Sequence, residues 1–429
     1  MGGWSTARSG RPFEPPEWPV AAPVWSVEVR SVRSGRAGAE DAQVGTGDEE
    51  RLAGGGGATA RRWVLGVDSG GSGLRVALAP VRDADGPADS APSVRTEQPY
   101  ARTEYSGHTG SPPTEYSGHT GSPPAAAESL TTASRTPVRT GEQGIQAAHL
   151  LEQLLPMARE LLDRAGADRP AALAIGAAGM ATLGDELRAV LPGALERELG
   201  VRRLALAADA VTAYAGALGS RRGAVVAAGT GLIALGTDLV SWRRADGWGH
   251  LLGDCGGGAW IGRAGLEAAF RAYDGRDGGS EALRARAEVC FDGPLPELPG
   301  KLYPRSDRPA VLASFAPEVG RCASHDPVAA GILREAARNI AQAAAAVCPR
   351  EADAAVGLTG GLFGMGEPLL VPLEEELERL IPGARPVPAA GDPLDGAVMI
   401  ATALCIGGPL LPADGRLLSL PKSPDDQPN

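Results

Sequence analysis

VLGVDSGGSGLRVAL, residues 64–78, joins two apolar runs through a glycine-rich turn. Asp68 precedes the turn and Ser72 lies inside it. A P-loop would require a lysine after the glycines, but none follows here. The only lysines of the sequence are Lys301 and Lys422. The stretch is therefore either a phosphate-binding turn of another design or a plain β-hairpin turn.

Two further glycine turns follow apolar, strand-like runs, at Gly229–Gly231 (GTG) and at Thr359–Gly361 (TGG). Glycine lets the backbone come close to a phosphate and leaves its N–H groups accessible to the oxygens. One such turn is more often a plain hairpin, but three at strand ends with acids nearby favour phosphate binding. Asp68 would then anchor a magnesium ion that arrives with a nucleotide; the alternative is a carboxylate that caps its own turn.

Asp209 lies where the strand-like run LALAA gives way to an alanine-rich helix. Capping the helix N-terminus is the more common role of an aspartate at such a position. The same position also suits a general base that takes the proton of a substrate hydroxyl during phosphoryl transfer. Position alone leaves both roles open.

The glycine-rich segment 247–275 contains Trp248, His250, Asp254 and Trp260. A tryptophan beside an aspartate is a common way to hold a sugar, because the ring covers its apolar face and the carboxylate binds its hydroxyls. Trp260 is interpreted as a core residue. His250 has no visible partner in the sequence and is interpreted as structural.

Composition narrows the function classes. The chain has 429 residues, a hydrophobic fraction of 43%, a charged fraction of 22% and a net charge of -11, which predicts a globular protein with room for two domains. The negative charge argues against nucleic-acid binding, which needs a basic surface. The five cysteines form no CxxC pair and no apolar run approaches the length of a membrane span, so we expect reduced thiols, no membrane insertion and a cytoplasmic protein.

Irregular and ordered segments alternate along the chain. Residues 1–61 show no sustained hydrophobic period and are interpreted as a disordered tail. Residues 82–143 are interpreted as a loop, which contains the repeat TEYSGHTGSPP at 103–113 and again at 114–124. From residue 144 onwards, strand-like apolar runs alternate with segments whose apolar residues recur at helical spacing. One such segment predicts a helix that begins at Ala147. The two halves resemble each other, and the pattern predicts an α/β fold.

These stretches together resemble the BadF/BadG/BcrA/BcrD ATPase family and, within it, the N-acetylglucosamine kinases of the actin-like sugar kinase and Hsp70 superfamily. The resemblance covers roughly residues 64–81 and 144–404. It implies two ribonuclease-H-like (actin-like ATPase) domains with a nucleotide cleft between them. These are residues 62–205, which include the loop, and residues 206–406, followed by a C-terminal tail at 407–429.

The resemblance also implies roles for individual residues. Asp209 corresponds to the catalytic base and Asp68 to the carboxylate that faces magnesium. The implied nucleotide contacts are Gly70, Gly71, Ser72, Gly229, Thr230, Gly231, Gly360 and Gly361, and the implied sugar contacts are Gly247, Trp248, Asp254 and Gly258. The implied function is ATP- and Mg²⁺-dependent phosphorylation of an amino sugar, favouring N-acetylglucosamine to its 6-phosphate.

The sequence departs from the family near the sugar. After Asp254 the family usually has Glu-Gly-Ser, whereas this chain has Cys255-Gly256-Gly257. The change removes a carboxylate and a hydroxyl beside the sugar pocket, which leaves phosphoryl transfer in place and alters the groups that select the sugar. Leu232 also stands where a serine is usual.

Two other functions compete with the sugar kinase. One is the ATPase branch of the family, which activates or switches a protein partner through an iron-sulfur cluster; here Cys255 and Cys290 are too far apart in sequence to resemble those ligands. The other is a sugar-responsive regulator, which would need a helix-turn-helix that the N-terminal tail does not predict. Homodimers are common in the resembling kinases, so the resemblance also suggests a homodimer.

Overall fold

The computed structural model describes residues 61–70, 73–81, 129–141, 144–350 and 354–421. All of them belong to one compact unit, Thr59–Asn429. The predicted tail before residue 61 and the tandem repeat lie outside the described residues, and so do Gly71 and Ser72.

The described residues form thirteen strands in three sheets. In chain order they are β1 (Trp63–Gly70), β2 (Gly73–Pro80), β3 (Leu130–Ser134), β4 (Thr140–Gly141), β5 (Gly144–Ile145), β6 (Ala172–Ala177), β7 (Leu204–Ala208), β8 (Gly223–Ala228), β9 (Leu232–Thr237), β10 (Trp242–Asp246), β11 (Ala355–Thr359), β12 (Arg385–Pro388) and β13 (Leu418–Ser419).

The two large sheets share a five-strand topology, to which β13 adds at one edge of the first sheet. The first has the order β13-β7-β6-β1-β2-β3 and the second the order β10-β9-β8-β11-β12. In each, three successive strands form an antiparallel meander, β1-β2-β3 or β8-β9-β10, and two later strands add in parallel beside its first strand. Strands buried on both faces explain the apolar runs of the sequence, since parallel sheets are covered by helices. The predicted α/β fold and the likeness of the two halves are confirmed.

Twelve α-helices connect and cover these sheets in the described residues. They are α1 (Ala147–Ala165), α2 (Met180–Leu183), α3 (Asp185–Leu199), α4 (Asp209–Leu218), α5 (Gly258–Tyr273), α6 (Glu281–Cys290), α7 (Leu298–Leu302), α8 (Arg308–Ala313), α9 (Ala316–Cys322), α10 (Pro327–Val347), α11 (Glu367–Leu380) and α12 (Pro393–Ile406). Two 3₁₀ turns, Leu295–Glu297 and Gly361–Met365, complete the set. The helix predicted from Ala147 begins at that residue.

Each large sheet has its own hydrophobic core, represented by Leu65 and Ile175 in the first and by Phe315 and Leu333 in the second. Helix α4 contacts strands of both sheets, and α12 packs on α4, β1 and β6. The predicted domain boundary at residue 206 falls inside β7, a strand of the first sheet, and stays a prediction.

Two segments predicted to be irregular contain strands. Strand β3 lies within the predicted loop 82–143 and pairs with β2, so its residues add an edge to the first sheet. Strand β13 lies within the predicted tail 407–429, where Leu418 is buried and pairs with Ala207. Both strands are short and depend on an existing sheet edge, which a local sequence pattern does not reveal.

Candidate active site

The first glycine turn closes the hairpin between β1 and β2. Gly70 pairs with Gly73, and no described atom lies within 4 Å of a Cβ built on Gly70. Gly73 has a φ of 131°, and a Cβ there would lie 2.1 Å from the oxygen of Ser134, so this position requires glycine. The described ends of this turn, Gly70 and Gly73, therefore close a β-hairpin, and no described atom covers Gly70.

The second glycine turn closes the hairpin between β8 and β9 and lies on the N-terminus of α5. The N–H of Gly258 donates to the oxygen of Gly229 at 2.8 Å, and the N–H of Ala259 donates to the oxygen of Thr230 at 2.8 Å. A Cβ at Gly258 would lie 2.6 Å from the Gly229 oxygen. Gly258, a predicted sugar contact, therefore packs directly against a predicted nucleotide turn.

The third glycine turn follows β11 and lies beside the second. Strands β8 and β11 are parallel neighbours, so their carboxyl ends meet at one edge of the second sheet. Gly360 has a φ of 103°, and a Cβ there would lie 2.2 Å from the oxygen of Ala228, the last residue of β8. No described atom lies within 4 Å of a Cβ built on Gly361. Two of the three predicted turns therefore form one continuous, glycine-lined edge.

Asp209 begins α4 directly after β7 and is half-buried. Its Oδ1 accepts the N–H of Ala210 at 2.9 Å. Burial raises the pKa of Asp209; the Ala210 bond opposes this, the charge of Asp68 raises the pKa further, and the charge of Arg244 lowers it. Asp209 thus lies within electrostatic reach of β1 in the first sheet and of β10 in the second. A carboxylate of raised pKa suits a general base that must receive a proton at neutral pH.

Asp68 takes part in a charge network at the base of the first turn. Its Oδ2 accepts from Arg75, at 3.0 Å from Nε and 2.6 Å from Nη2. Arg75 Nη1 donates at 2.5 Å to Asp392, which caps α12 in a capping box with Asp395. Arg75 therefore joins the first hairpin to the start of α12.

The carboxylates present fit a magnesium ion that is held mainly by phosphates and water. Within the described residues, no group of three or more His, Cys, Asp and Glu side chains could hold a metal. Magnesium commonly binds through one or two carboxylates with the remaining positions taken by water and substrate phosphate. Asp68, at the base of the first glycine turn, offers one such carboxylate.

The segment that runs from the last residue of β10 towards α5, called the 246–255 loop, is held at both ends by carboxylates. Asp246 accepts the N–H of Asp254 at 2.5 Å and that of Cys255 at 2.9 Å. Asp254 in turn accepts the N–H of Gly249 at 3.0 Å. Asp246 and Asp254 both have positive φ values, 59° and 56°, which non-glycine residues seldom adopt. Such strain is typical of a functional loop.

The loop residues that are predicted to contact the sugar lie in different environments. Trp248 is 62% exposed, as expected of a ring available to a ligand, whereas Asp254 is buried. Burial raises the pKa of Asp254, and the Gly249 hydrogen bond opposes that shift. Gly247 has a φ of 74°, and a Cβ there would lie 2.9 Å from Ile233 Cδ1. Trp260 packs against the second core, which confirms its interpretation as a core residue.

The departures at Cys255 and Gly257 change the chemistry beside Asp254. Burial, and then the charge of Asp246, raises the pKa of the Cys255 thiol, so this position carries no negative charge at neutral pH. A Cβ at Gly257 would lie 2.8 Å from the carbonyl carbon and oxygen of Gly231. The serine usual at this position would therefore clash with the second turn as it is placed here.

Four charged residues of the site were not identified from the sequence: Arg75, Arg244, Asp246 and Asp392. The pair Arg244 and Asp246 had a readable signal, since residues two apart on a strand point to the same face and the strand leads into the glycine-rich loop. Asp392 before Pro393 is a recognisable helix start. Its pairing with Arg75, 317 residues away, is a tertiary contact with no local signal.

The chain matches one protein family and is similar to a kinase of that kind. The model of the BadF/BadG/BcrA/BcrD ATPase family matches residues 65–401. An N-acetylmuramic acid/N-acetylglucosamine kinase of Clostridium acetobutylicum is 38% identical over 82 residues, which are 19% of this chain and only 27% of that protein.

Two solved structures are similar over most of their length. A candidate N-acetylglucosamine kinase of Chromobacterium violaceum is 25% identical with a TM-score of 0.53, covering 80% of this chain and 99% of that one. A second candidate N-acetylglucosamine kinase, from Porphyromonas gingivalis, is 14% identical with a TM-score of 0.51. The match covers 79% of this chain and 97% of that one, and it shows likeness of fold.

No helix of the described residues is long and apolar enough to cross a membrane.

Proposed function

Since the chain belongs to the BadF/BadG/BcrA/BcrD ATPase family, whose model matches residues 65–401, we propose that it is an ATP-dependent sugar kinase. Its substrate would be an amino sugar, with N-acetylglucosamine, giving the 6-phosphate, as the favoured case. The names of the similar proteins from Clostridium acetobutylicum and Chromobacterium violaceum support this choice. We further propose that the two sheets belong to two ribonuclease-H-like domains, residues 62–205 and 206–406, with the nucleotide between them.

The observation that carries the proposal is the setting of Asp209. This carboxylate lies half-buried at the end of β7, and its pKa is raised by burial. It interacts electrostatically with Asp68 below the first glycine turn and with Arg244 beside the sugar loop. A general base between a phosphate-binding turn and a sugar-binding loop is what phosphoryl transfer to an alcohol requires.

In the proposed reaction Asp209 accepts the proton of the sugar hydroxyl. The hydroxyl oxygen forms a bond to the γ-phosphorus of ATP, the bond between that phosphorus and the β–γ bridging oxygen breaks, and ADP leaves with the bonding electrons. Backbone N–H groups of the three glycine turns stabilise the charge on the phosphoryl oxygens. Bound magnesium would supply further charge neutralisation, with Asp68 as its protein carboxylate.

The sugar would lie on the 246–255 loop. Trp248 offers an exposed ring for the apolar face of a sugar, and Asp254 offers a carboxylate for its hydroxyls. Closing the two domains over both substrates would exclude water, which otherwise competes with the sugar for the phosphoryl group. A homodimer and a cytoplasmic location stay predictions.

A coupled ADP-release assay tests the proposal with ATP and Mg²⁺ across N-acetylglucosamine, glucosamine, N-acetylmuramic acid and glucose. We expect sugar-dependent turnover that Asp209→Asn lowers by about 10²–10⁴-fold, the usual contribution of a general base. Asp185→Asn is the matched control, because Asp185 also begins a helix, α3, and is exposed. It should retain the parent rate.

The competing function predicts a different pattern in the same assay. An ATPase that switches a protein partner would hydrolyse ATP equally with and without every sugar. Equal rates for the parent and Asp209→Asn would also remove the proposed base. Either result would contradict the sugar-kinase proposal.

A further inference from the structure

Arg244 holds the start of the 246–255 loop through three contacts. Its Nε donates to the oxygen of Asp246 at 3.1 Å and its Nη2 donates to the oxygen of Gly247 at 2.5 Å. Its guanidinium carbon lies 4.4 Å from the ring centroid of Trp248. Arg244 is half-buried in the middle of β10, so these contacts originate from a strand of the second sheet.

The loop has little other packing to fix its apolar side chains. Trp248 is 62% exposed, Leu251 79% and Leu252 86%. Side chains this exposed gain little from burial. The carboxylate of Asp246 holds the far end of the loop, where it accepts the N–H groups of Asp254 and Cys255. The guanidinium is the described group that stacks on the Trp248 ring.

The charge of Arg244 also acts on the two carboxylates of the proposed reaction. It interacts electrostatically with Asp209 and with Asp254. The other charges that face Asp209 and Asp254 are Asp68 for the former, and Asp246 and His250 for the latter. Arg244 is thus the cation common to the predicted base and the predicted sugar ligand.

We propose that Arg244 is a positioning residue for the sugar: it clamps the backbone at Asp246 and Gly247 and sets the plane of the Trp248 ring against which the sugar packs. The inference rests on the proposed function. Arginine is suited to this role because its planar fork donates two hydrogen bonds while one face stacks on an aromatic ring, which lysine cannot reproduce.

Steady-state kinetics test the proposal with Arg244→Gln and Arg244→Lys. Arg243→Gln is the matched control, because Arg243 is exposed on the neighbouring position of the same strand. We expect Arg244→Gln to raise the KM for the sugar about tenfold or more, as expected for losing charge-assisted hydrogen bonds, while the KM for ATP and the melting temperature stay near those of the parent. Arg244→Lys should recover only part of the sugar KM.

A purely structural role would give a different result. In that case both KM values, kcat and the melting temperature would change together. A sugar KM of Arg244→Gln equal to that of Arg243→Gln would also overturn the proposal.

Limited proteolysis with thermolysin provides a readout that does not depend on activity. The exposed Leu251 and Leu252 are cleavage positions for this protease, and mass spectrometry identifies the cut. We expect cleavage in Arg244→Gln to be about fivefold faster or more than in the parent and in Arg243→Gln. Equal cleavage rates would refute the clamp. If the parent protein showed no sugar-dependent turnover but Arg244→Gln were still cleaved faster than the parent, the clamp would be supported and only the proposed function would be refuted.

Discussion

Replacing Gly396 by alanine is expected to separate α12 from α4 and so displace Asp209. A Cβ on Gly396 would lie 1.9 Å from the oxygen of Thr212 and 2.6 Å from the nitrogen of Gly216, both backbone atoms of α4. Ordinary contact begins at 3.4 Å, so the two helices must move apart by about 1.5 Å. No side chain can rotate away to relieve the clash.

The displacement would reach the proposed base. Thr212 Oγ1 donates to the oxygen of Asp209 at 2.9 Å, so a shift of α4 at Thr212 moves the first turn of the helix. A misplacement of about 1 Å in a catalytic group can reduce the rate about 10²-fold. Overpacking typically costs about 1–3 kcal/mol, and the helix propensity gained from alanine, about 1 kcal/mol, offsets only part of it. We expect a lower free energy of unfolding and a kcat reduced by about two orders of magnitude.

Urea denaturation and the coupled kinase assay measure the two effects, with Gly331→Ala as the control. Gly331 also lies inside a helix, α10, but a Cβ there meets only the flexible end of Arg334, at 3.8 Å. The control should gain stability of up to about 1 kcal/mol and keep the parent rate. If Gly396→Ala matched the control in both measurements, the close approach of α4 and α12 described here would be incorrect.

Four further predictions concern the charged groups. Asp246→Ala removes the acceptor of two backbone N–H groups and should raise the sugar KM while leaving the KM for ATP unchanged in the ADP-release assay; an unchanged sugar KM would exclude a role for the 246–255 loop. Because burial raises the pKa of Asp209, the acid limb of kcat/KM should lie above the range of an ordinary aspartate, and activity should fall as pH drops through that pKa. The same burial disfavours the charged form in the folded state, so Asp209→Asn should increase the free energy of unfolding at pH 7, and a decrease would contradict the cause given for the shift. Arg75→Gln frees Asp68 Oδ2 and should lower the Mg²⁺ concentration for half-maximal rate, whereas a higher requirement would show that Arg75 supports the ion instead.

Local patterns predicted much of the fold. Apolar runs that end in glycines marked β1, β8 and β11, because buried strands and turns each have a strong local signature. The repetition of strand, glycine turn and helix indicated two similar halves, and five strands of each large sheet have the same arrangement. Short edge strands escaped prediction, since β3 and β13 exist only by pairing with β2 and β7.

Local sequence predicted the positions of Asp68, Asp209 and the glycine turns at strand ends, and their functional roles stay predictions. The candidate site was not predictable where partners are distant, as for Arg75 and Asp392. The environment of a residue is also set by tertiary structure: Asp254 is buried while Trp248 is exposed, although both lie in one glycine-rich segment. Burial and charge, which decide whether a carboxylate can act as a base, depend on packing that a sequence does not display.

The destination of the γ-phosphoryl group distinguishes a sugar kinase from an ATPase. Phosphorus NMR of a reaction containing the full chain, ATP, Mg²⁺ and N-acetylglucosamine distinguishes a sugar phosphomonoester from inorganic phosphate. We predict a phosphomonoester signal that grows in step with ADP, and its loss in Asp209→Asn. Inorganic phosphate and ADP without a phosphomonoester, in this reaction and in the same reaction with glucosamine or N-acetylmuramic acid, would contradict the sugar-kinase proposal and identify the protein as an ATPase.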